Sequence, residues 1–177
     1  LNHYPKPFIE YLTYFHGMRD YFECHEVLEE HWKDVKNQSN RSEDHWVALI
    51  QLAVALYHHR QNNYAGAKRL YKNAERLMSD NEQKLQELSI NVDELIRRVK
   101  AQHQDVTASK AYQPIAIPLE DDDLIDLCKQ KCQEEGHSWN ENEDHALDDI
   151  IYKHKRRDRS DVISERKQAL MNRNDRH

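Results

Sequence analysis

Trp46-Val47-Ala48-Leu49-Ile50-Gln51-Leu52-Ala53-Val54-Ala55-Leu56-Tyr57 carries an apolar residue at every position but one. A helix that is apolar all round is enclosed by other elements rather than laid on a surface. The stretch is too short to cross a bilayer, and no longer apolar run exists elsewhere. It is therefore expected to be the central helix of a bundle. The 177 residues include only three glycines and four prolines. β-rich folds spend more of both on turns, so the fold class is read as all-α.

The flanks of this stretch read as helices too. Pro5 to about Phe15 places Phe8, Ile9, Leu12 and Phe15 on one side, and Gly17 closes it. Asp20 with Glu23 three residues on is a variant capping box. The helix that follows carries the stripe Tyr21, Cys24, Leu28, Trp32, Val35, and Asn37 to Ser42 is a polar turn. Beyond the central helix, Asn62 and Asn63 mark a turn. One helix then runs to about Met78 and another from about Asn81 to His103. Tyr14, Asp20, Tyr21, Cys24, Leu28 recur 43 residues later as Tyr57, Asn63, Tyr64, Ala67, Tyr71. In each copy an Asx residue caps, an aromatic follows, and a small residue three further on lets two helices approach. The spacing resembles a tetratricopeptide repeat. Residues 1–103 are read as a core of antiparallel helix hairpins.

Residues 104–119, with Pro114 and Pro118, are read as a linker, and 120–177 as a charged helical appendage. Segment 120–150 holds twelve acids and two bases, while 151–177 holds nine bases and four acids. Neighbouring blocks of opposite sign are expected to neutralise each other in part. The run Lys153, His154, Lys155, Arg156, Arg157, Arg159 lacks interleaved aromatics and is broken by Asp158, so nucleic acid is not the expected partner. Val162, Ile163 and Leu170 make a sparse stripe before a frayed end. Leu1 to Phe8 has no basic-then-apolar layout, so no signal peptide is expected. Three cysteines, Cys24, Cys128 and Cys132, are too few for a disulfide framework and suit the cytoplasm.

Candidate chemistry sits in His25-Glu26-Val27-Leu28-Glu29-Glu30-His31-Trp32. His25 and Glu29 share a helix face beside the Leu28 and Trp32 stripe. Gln51 is the one strongly polar residue in the enclosed helix, and His58 lies two turns along the same face. Buried polar groups need partners, so His25, Glu29, Gln51 and His58 are expected to form one cluster. It is read as a structural hydrogen-bond network, or as a ligand or catalytic site. In the catalytic case His25 is the general base, Glu29 orients it and Gln51 fixes the substrate. No cofactor is expected. A divalent metal on His25, Glu29 and His58 is the minor alternative, since no His-Glu-x-x-His and no paired Glu-x-x-His is present. Cys128, Cys132 and His137 lack zinc spacing. No phosphate loop, nucleophile elbow or dinucleotide fingerprint occurs.

The segments 25–32, 50–58 and Asn63-Tyr64-Ala65-Gly66-Ala67, in that order, resemble the domain-of-unknown-function 309 family of bacteria and archaea over about residues 8–78. The resemblance implies an all-helical core and brings no activity. Its pattern maps onto His25, Glu29, Trp32, Gln51, Gly66 and Ala67, and the part after about Gln104 resembles an addition found in a subset of members. Function is read first as a non-enzymatic interaction module with a protein partner, with a homo-oligomer left open. The second reading is a small-ligand or hydrolase-type site on the polar cluster.

Overall fold

The computed structural model describes residues 3–38 and 43–156. It is all-helical. Among the described residues the one β pairing is an isolated antiparallel bridge between Ile90 and Leu119. Helix α1 (Lys6–Thr13) starts behind Pro5 and widens into a π turn over Tyr14–Met18. Arg19 ends that turn in the left-handed region at φ 53°. Asp20 then opens α2 (Tyr21–Gln38), its Oδ1 accepting the Glu23 N–H at 3.1 Å. The expected cap is therefore in place. Of the predicted α2 stripe, Tyr21, Cys24 and Leu28 are fully buried, while Trp32 and Val35 are half-buried near the open end.

Helix α3 (Asp44–Arg60) is the enclosed helix, flanked by α2 and α4 (Tyr64–Asp80). Asn63 caps α4, its Oδ1 accepting from Gly66 N at 3.3 Å. Cys24 and Ala67, the small residues of the two repeats, are both fully buried, as are Leu28 and Tyr71 one turn on. The 43-residue correspondence is thus one of caps and close-packed positions. Each helix packs on the next, α1 on α2, α2 on α3 and α3 on α4, around one hydrophobic core.

The single helix expected from Asn81 to His103 is two, α5 (Glu82–Glu87) and α6 (Val92–Thr107). Leu85, Leu88, Val92, Leu95 and Val99 keep helical spacing across the break, which hides it from a periodicity reading. Two local features impose it. Ser89 takes φ 60°, and Asn91 caps α6 by accepting from Glu94 N at 3.1 Å. The freed backbone pairs with an extended strip: Asn91 N donates to Pro118 O at 2.8 Å and Glu120 N to Ser89 O at 2.7 Å.

Residues 104–107 belong to α6, and the strip from 110 to 118 lies against the core with Ala116 and Ile117 buried. Helix α7 (Asp122–Glu134) starts at its cap Asp121 and packs on α1, burying Leu124, Cys128 and Cys132. A Cβ on Gly17 would lie 2.9 Å from Cys132 Sγ, so the absent side chain is what admits α7. Residues 143–147 are not helical, and two short turns follow, α8 (Asp148–Ile151) and α9 (Lys153–Arg156). The tip of the 37–42 turn, the end of the basic run, the Val162, Ile163, Leu170 stripe and the frayed end lie outside the described residues.

Two buried arginines hold this last third to the hairpins. Arg19, 1% exposed, donates to the carbonyls of Ile115, Asn140 (2.7 Å) and Glu143 (3.2 Å). Arg60 donates to Arg19 O at 2.9 Å and to Asp144 Oδ2 at 3.0 Å. His16, fully buried, accepts the Ile117 N–H on Nε2 at 2.9 Å and stacks on Trp139 at 3.9 Å. Lys153 pairs with Asp20 (2.9 Å) and Glu23 (2.8 Å) of the α2 N-terminus. The partners of this base are thus in α2 rather than in the acidic 120–150 block.

Candidate functional site

Antiparallel packing of α2 on α3 sets Phe22 against Tyr57 at one end and His31 against Trp46 at the other. Near the Phe22 end the two helices leave a cavity of about 170 Å³. Phe22, Val54 and Tyr57 are its apolar walls, and His25, His58 and His154 supply three imidazoles. The face is dictated by spacing: Phe22 and His25 are three apart on α2, and Val54, Tyr57 and His58 are three and four apart on α3. His154 arrives from the C-terminal segment. Its ring lies 5.7 Å from Phe22 and its backbone N–H donates to Tyr57 Oη at 2.9 Å.

His25 sits between two carboxylates of its own helix. Nε2 is 2.6 Å from Glu29 Oε2, and Nδ1 is 3.4 Å from Glu26 Oε1. Glu29 is also 2.9 Å from Lys33. The hydrogen bond from Lys33, with the neighbouring His25, holds the Glu29 carboxyl below the usual carboxylate range. His25 and Glu29 are 29% and 34% exposed, so this is a half-solvated polar chain and not a buried dyad.

His58 is fixed differently. Asn63 has already committed Oδ1 to Gly66 N, so its Nδ2 must donate to His58 Nδ1, 3.1 Å away. That bond requires the lone pair on Nδ1 and leaves the ring proton on Nε2. Burial lowers the His58 pKa, and the neighbouring His154 and Arg69 lower it further. The helix cap thereby selects the tautomer of a pocket residue.

Of the four residues singled out from sequence, His25 and His58 meet at this cavity and Glu29 stands behind His25. Gln51 does not line it, although it lies one turn from Val54 on α3. Its Oε1 is buried without a hydrogen-bond partner, which costs about 1–3 kcal/mol. Among the described residues no three His, Cys, Asp or Glu side chains gather closely enough to hold a metal ion. His25, Glu29 and His58 therefore do not come together as a ligand set. Cys132 donates to Thr13 O at 3.7 Å, and burial pushes the Cys128 thiol up to about 12 and the Cys132 thiol to about 11. Both behave as small buried residues.

Sequence periodicity does not mark His154, Phe22 and Tyr57 as pocket residues, or His16, Arg19, His59 and Arg60 as buried polar ones. His59 is fully buried, with Nδ1 3.0 Å from Tyr71 Oη and Nε2 2.9 Å from Lys110 O. Only position could have flagged it: His58-His59-Arg60 continues the enclosed helix without a break.

Comparison with known proteins finds relatives of this chain. The chain is 40% identical over 169 residues to the protein described as "Uncharacterized protein YpuF" of Bacillus subtilis (strain 168), spanning 94% of this chain and 95% of that one. The likeness therefore runs through the hairpins and the C-terminal third alike. No solved structure matches. Among the described residues no helix is long and apolar enough to cross a membrane. The family model described as domain of unknown function (DUF309) matches residues 8–70, the part that carries α1 to α3 and the α2–α3 cavity. With the motifs of that region and a relative matching end to end, the chain belongs to the DUF309 family.

Proposed function

We propose that this protein is an interaction module whose α2–α3 cavity takes one apolar side chain of a protein partner. The size of the cavity carries the reading. About 170 Å³ is close to a cavity that accepts benzene, on the order of 150 Å³. Pockets for drug-sized ligands and cofactors start at roughly 300 Å³. A Phe, Leu or Met side chain fits and a cofactor does not. The cavity borders His58 and His154, near Arg69. An acidic residue beside the anchor on the partner complements that edge.

The alternative is acid–base catalysis by the His25–Glu29 pair, which the 2.6 Å contact favours. Lone-pair accounting keeps His58 out of it. Asn63 occupies the His58 lone pair, so that ring offers no base to a substrate in the cavity. A cytoplasmic setting fits three buried free cysteines.

The test uses toluene as a side-chain surrogate, followed by NMR. Shifts confined to Phe22, Val54, Tyr57 and His58, and lost in Val54→Phe, which fills the cavity, support the reading. Shifts scattered over the surface, or unchanged by Val54→Phe, overturn it. His25→Gln should leave toluene binding within about twofold. A catalytic role predicts instead that Glu29→Gln removes a turnover while leaving toluene binding intact.

A further inference from the structure

Helix α4 carries Lys68, Arg69, Lys72 and Arg76, all of them exposed. Lys68, Lys72 and Arg76 recur at i, i+4 and i+8. That spacing sets them about 6 Å apart along the axis, in one row on the outer side of the helix. Glu75 is the one acid between Tyr64 and Ser79, and Lys100 of α6 takes it at 3.8 Å. Among the described residues Lys68, Lys72 and Arg76 enter no ion pair. The cations around them behave differently: Arg97 and Arg98 share Glu94, Lys84 meets Glu43, and Lys110 meets Asp105.

The fold does not account for this row. Like charges one turn apart destabilise a helix, and α4 is held by its opposite side, where Ala67, Tyr71, Ala74 and Met78 are buried. The row also runs against the charge of the chain, which is -6 overall. Beside it lies a groove of about 450 Å³ between α4 and α6, lined by Lys72, Glu75, Arg76, Lys100, His103 and Gln104. With Glu75 offset by Lys100, Lys72 and Arg76 leave the groove positive. Asp80 closes α4 one turn beyond Arg76; with it counted, the helix still carries four bases against two acids.

We propose that the outer face of α4 docks an acidic helix of a partner protein, one that repeats Glu or Asp at i, i+4 and i+8. Two helices share a rise of about 1.5 Å per residue, so a carboxylate row on one stays in register with the cation row on the other through all three turns. The groove has no Phe, Tyr or Trp on which a base could stack, which disfavours single-stranded nucleic acid. It has no apolar side chain to enter a lipid surface either. The net charge of the chain repels a long polyanion or an anionic membrane, whereas a short helix meets the local cations alone. This face is separate from the α2–α3 cavity and stands whether or not that cavity takes an anchor.

The experiment titrates the full chain with three alanine-rich helical peptides at low ionic strength, followed by NMR at the backbone amides of α4 and α6. One peptide carries Glu at i, i+4 and i+8, the second carries the same three Glu scattered round the helix, and the third carries Gln in the row. The row peptide should bind at least about fivefold tighter than the scattered one, equivalent to ~1 kcal/mol. The Gln peptide should leave the amides unmoved, and binding of the row peptide should fade as salt rises. Lys72→Glu should weaken the row peptide at least about fivefold, and Arg97→Gln, which alters an exposed cation away from the row, should change it by less than about twofold. Should Lys72→Glu not fold, Lys68→Gln combined with Arg76→Gln decides by the same measure. Equal binding of the row and scattered peptides, a Lys72→Glu protein that binds as the parent does, or tighter binding of a uridine oligonucleotide or of phosphatidylserine vesicles overturns the proposal. A chain that sediments as a dimer and is dissociated by Lys72→Glu overturns it too, because the occupant is then a second copy.

Discussion

Acidification should unpick this protein at a histidine that never meets solvent. His16 is enclosed by Phe15 and Trp139. Its Nδ1 lies 2.9 Å from Leu12 O, its Nε2 accepts from Ile117 N, and Arg19 and Arg98 are its nearest charges. Burial first, opposed by the Leu12 hydrogen bond and aided by the two arginines, lowers its pKa from 6.5 to about 3. The unfolded chain takes up a proton near pH 6.5, whereas the folded chain does so only near 3. Between those values the unfolded state holds more protons, so stability falls as pH falls, and above about 6.5 this contribution is complete. The slope is about 1.4 kcal/mol per pH unit, so acidification from about pH 8 to about pH 4.5 removes roughly 2.7 kcal/mol through His16 alone. That is a large share of the roughly 5–15 kcal/mol of an ordinary domain. Urea unfolding at a series of pH values measures it. His16→Gln, which cannot titrate, subtracts every other group, His45 and the carboxylates included. Parallel stability curves for the two proteins across this range would refute a buried neutral His16.

Three further outcomes follow from packing and capping. Gly17→Ala sets a Cβ 2.9 Å from Cys132 Sγ and should cost about 1–3 kcal/mol of unfolding free energy; Cys132→Ala in the same chain should recover most of it, which a double-mutant cycle reads directly. Asn63→Ala removes the α4 cap and should cost about 1 kcal/mol; it also frees His58 Nδ1, so the His58 titration, followed by NMR, should move up in pH. Cys24, Cys128 and Cys132 are buried with raised thiol pKa values; a thiol reagent at mildly alkaline pH should label none of them in the native protein and all three in denaturant.

Sequence made the hairpins legible because they rest on local rules. An Asx residue, an aromatic and a small residue at fixed offsets declare a cap and a close approach, and the structure realises both at Asp20 and Asn63. The break at Ser89 was not legible. The apolar spacing runs through it, and what stabilises it is a strip of chain nearly thirty residues away. The candidate site was read in part. Periodicity places His25, Glu29 and His58 on facing surfaces, but it cannot tell that Gln51 stops one turn short or that His154 arrives from the far end of the chain. Arg19 and Arg60 were invisible for a plainer reason. An arginine beside a cap or at a helix end is usually solvated, and only the carbonyls of residues 115, 140 and 143 make Arg19 a buried one.

Those carbonyls impose an order of events on synthesis. Arg19 waits for acceptors 96 to 124 residues downstream, so at about 5–20 residues per second roughly 5–25 seconds separate its translation from that of its last partner. Throughout that interval the nascent hairpins hold an unmatched cation where the finished protein is dry. The hairpins can assemble early, but Arg19 is closed in only once residues 115, 140 and 143 arrive.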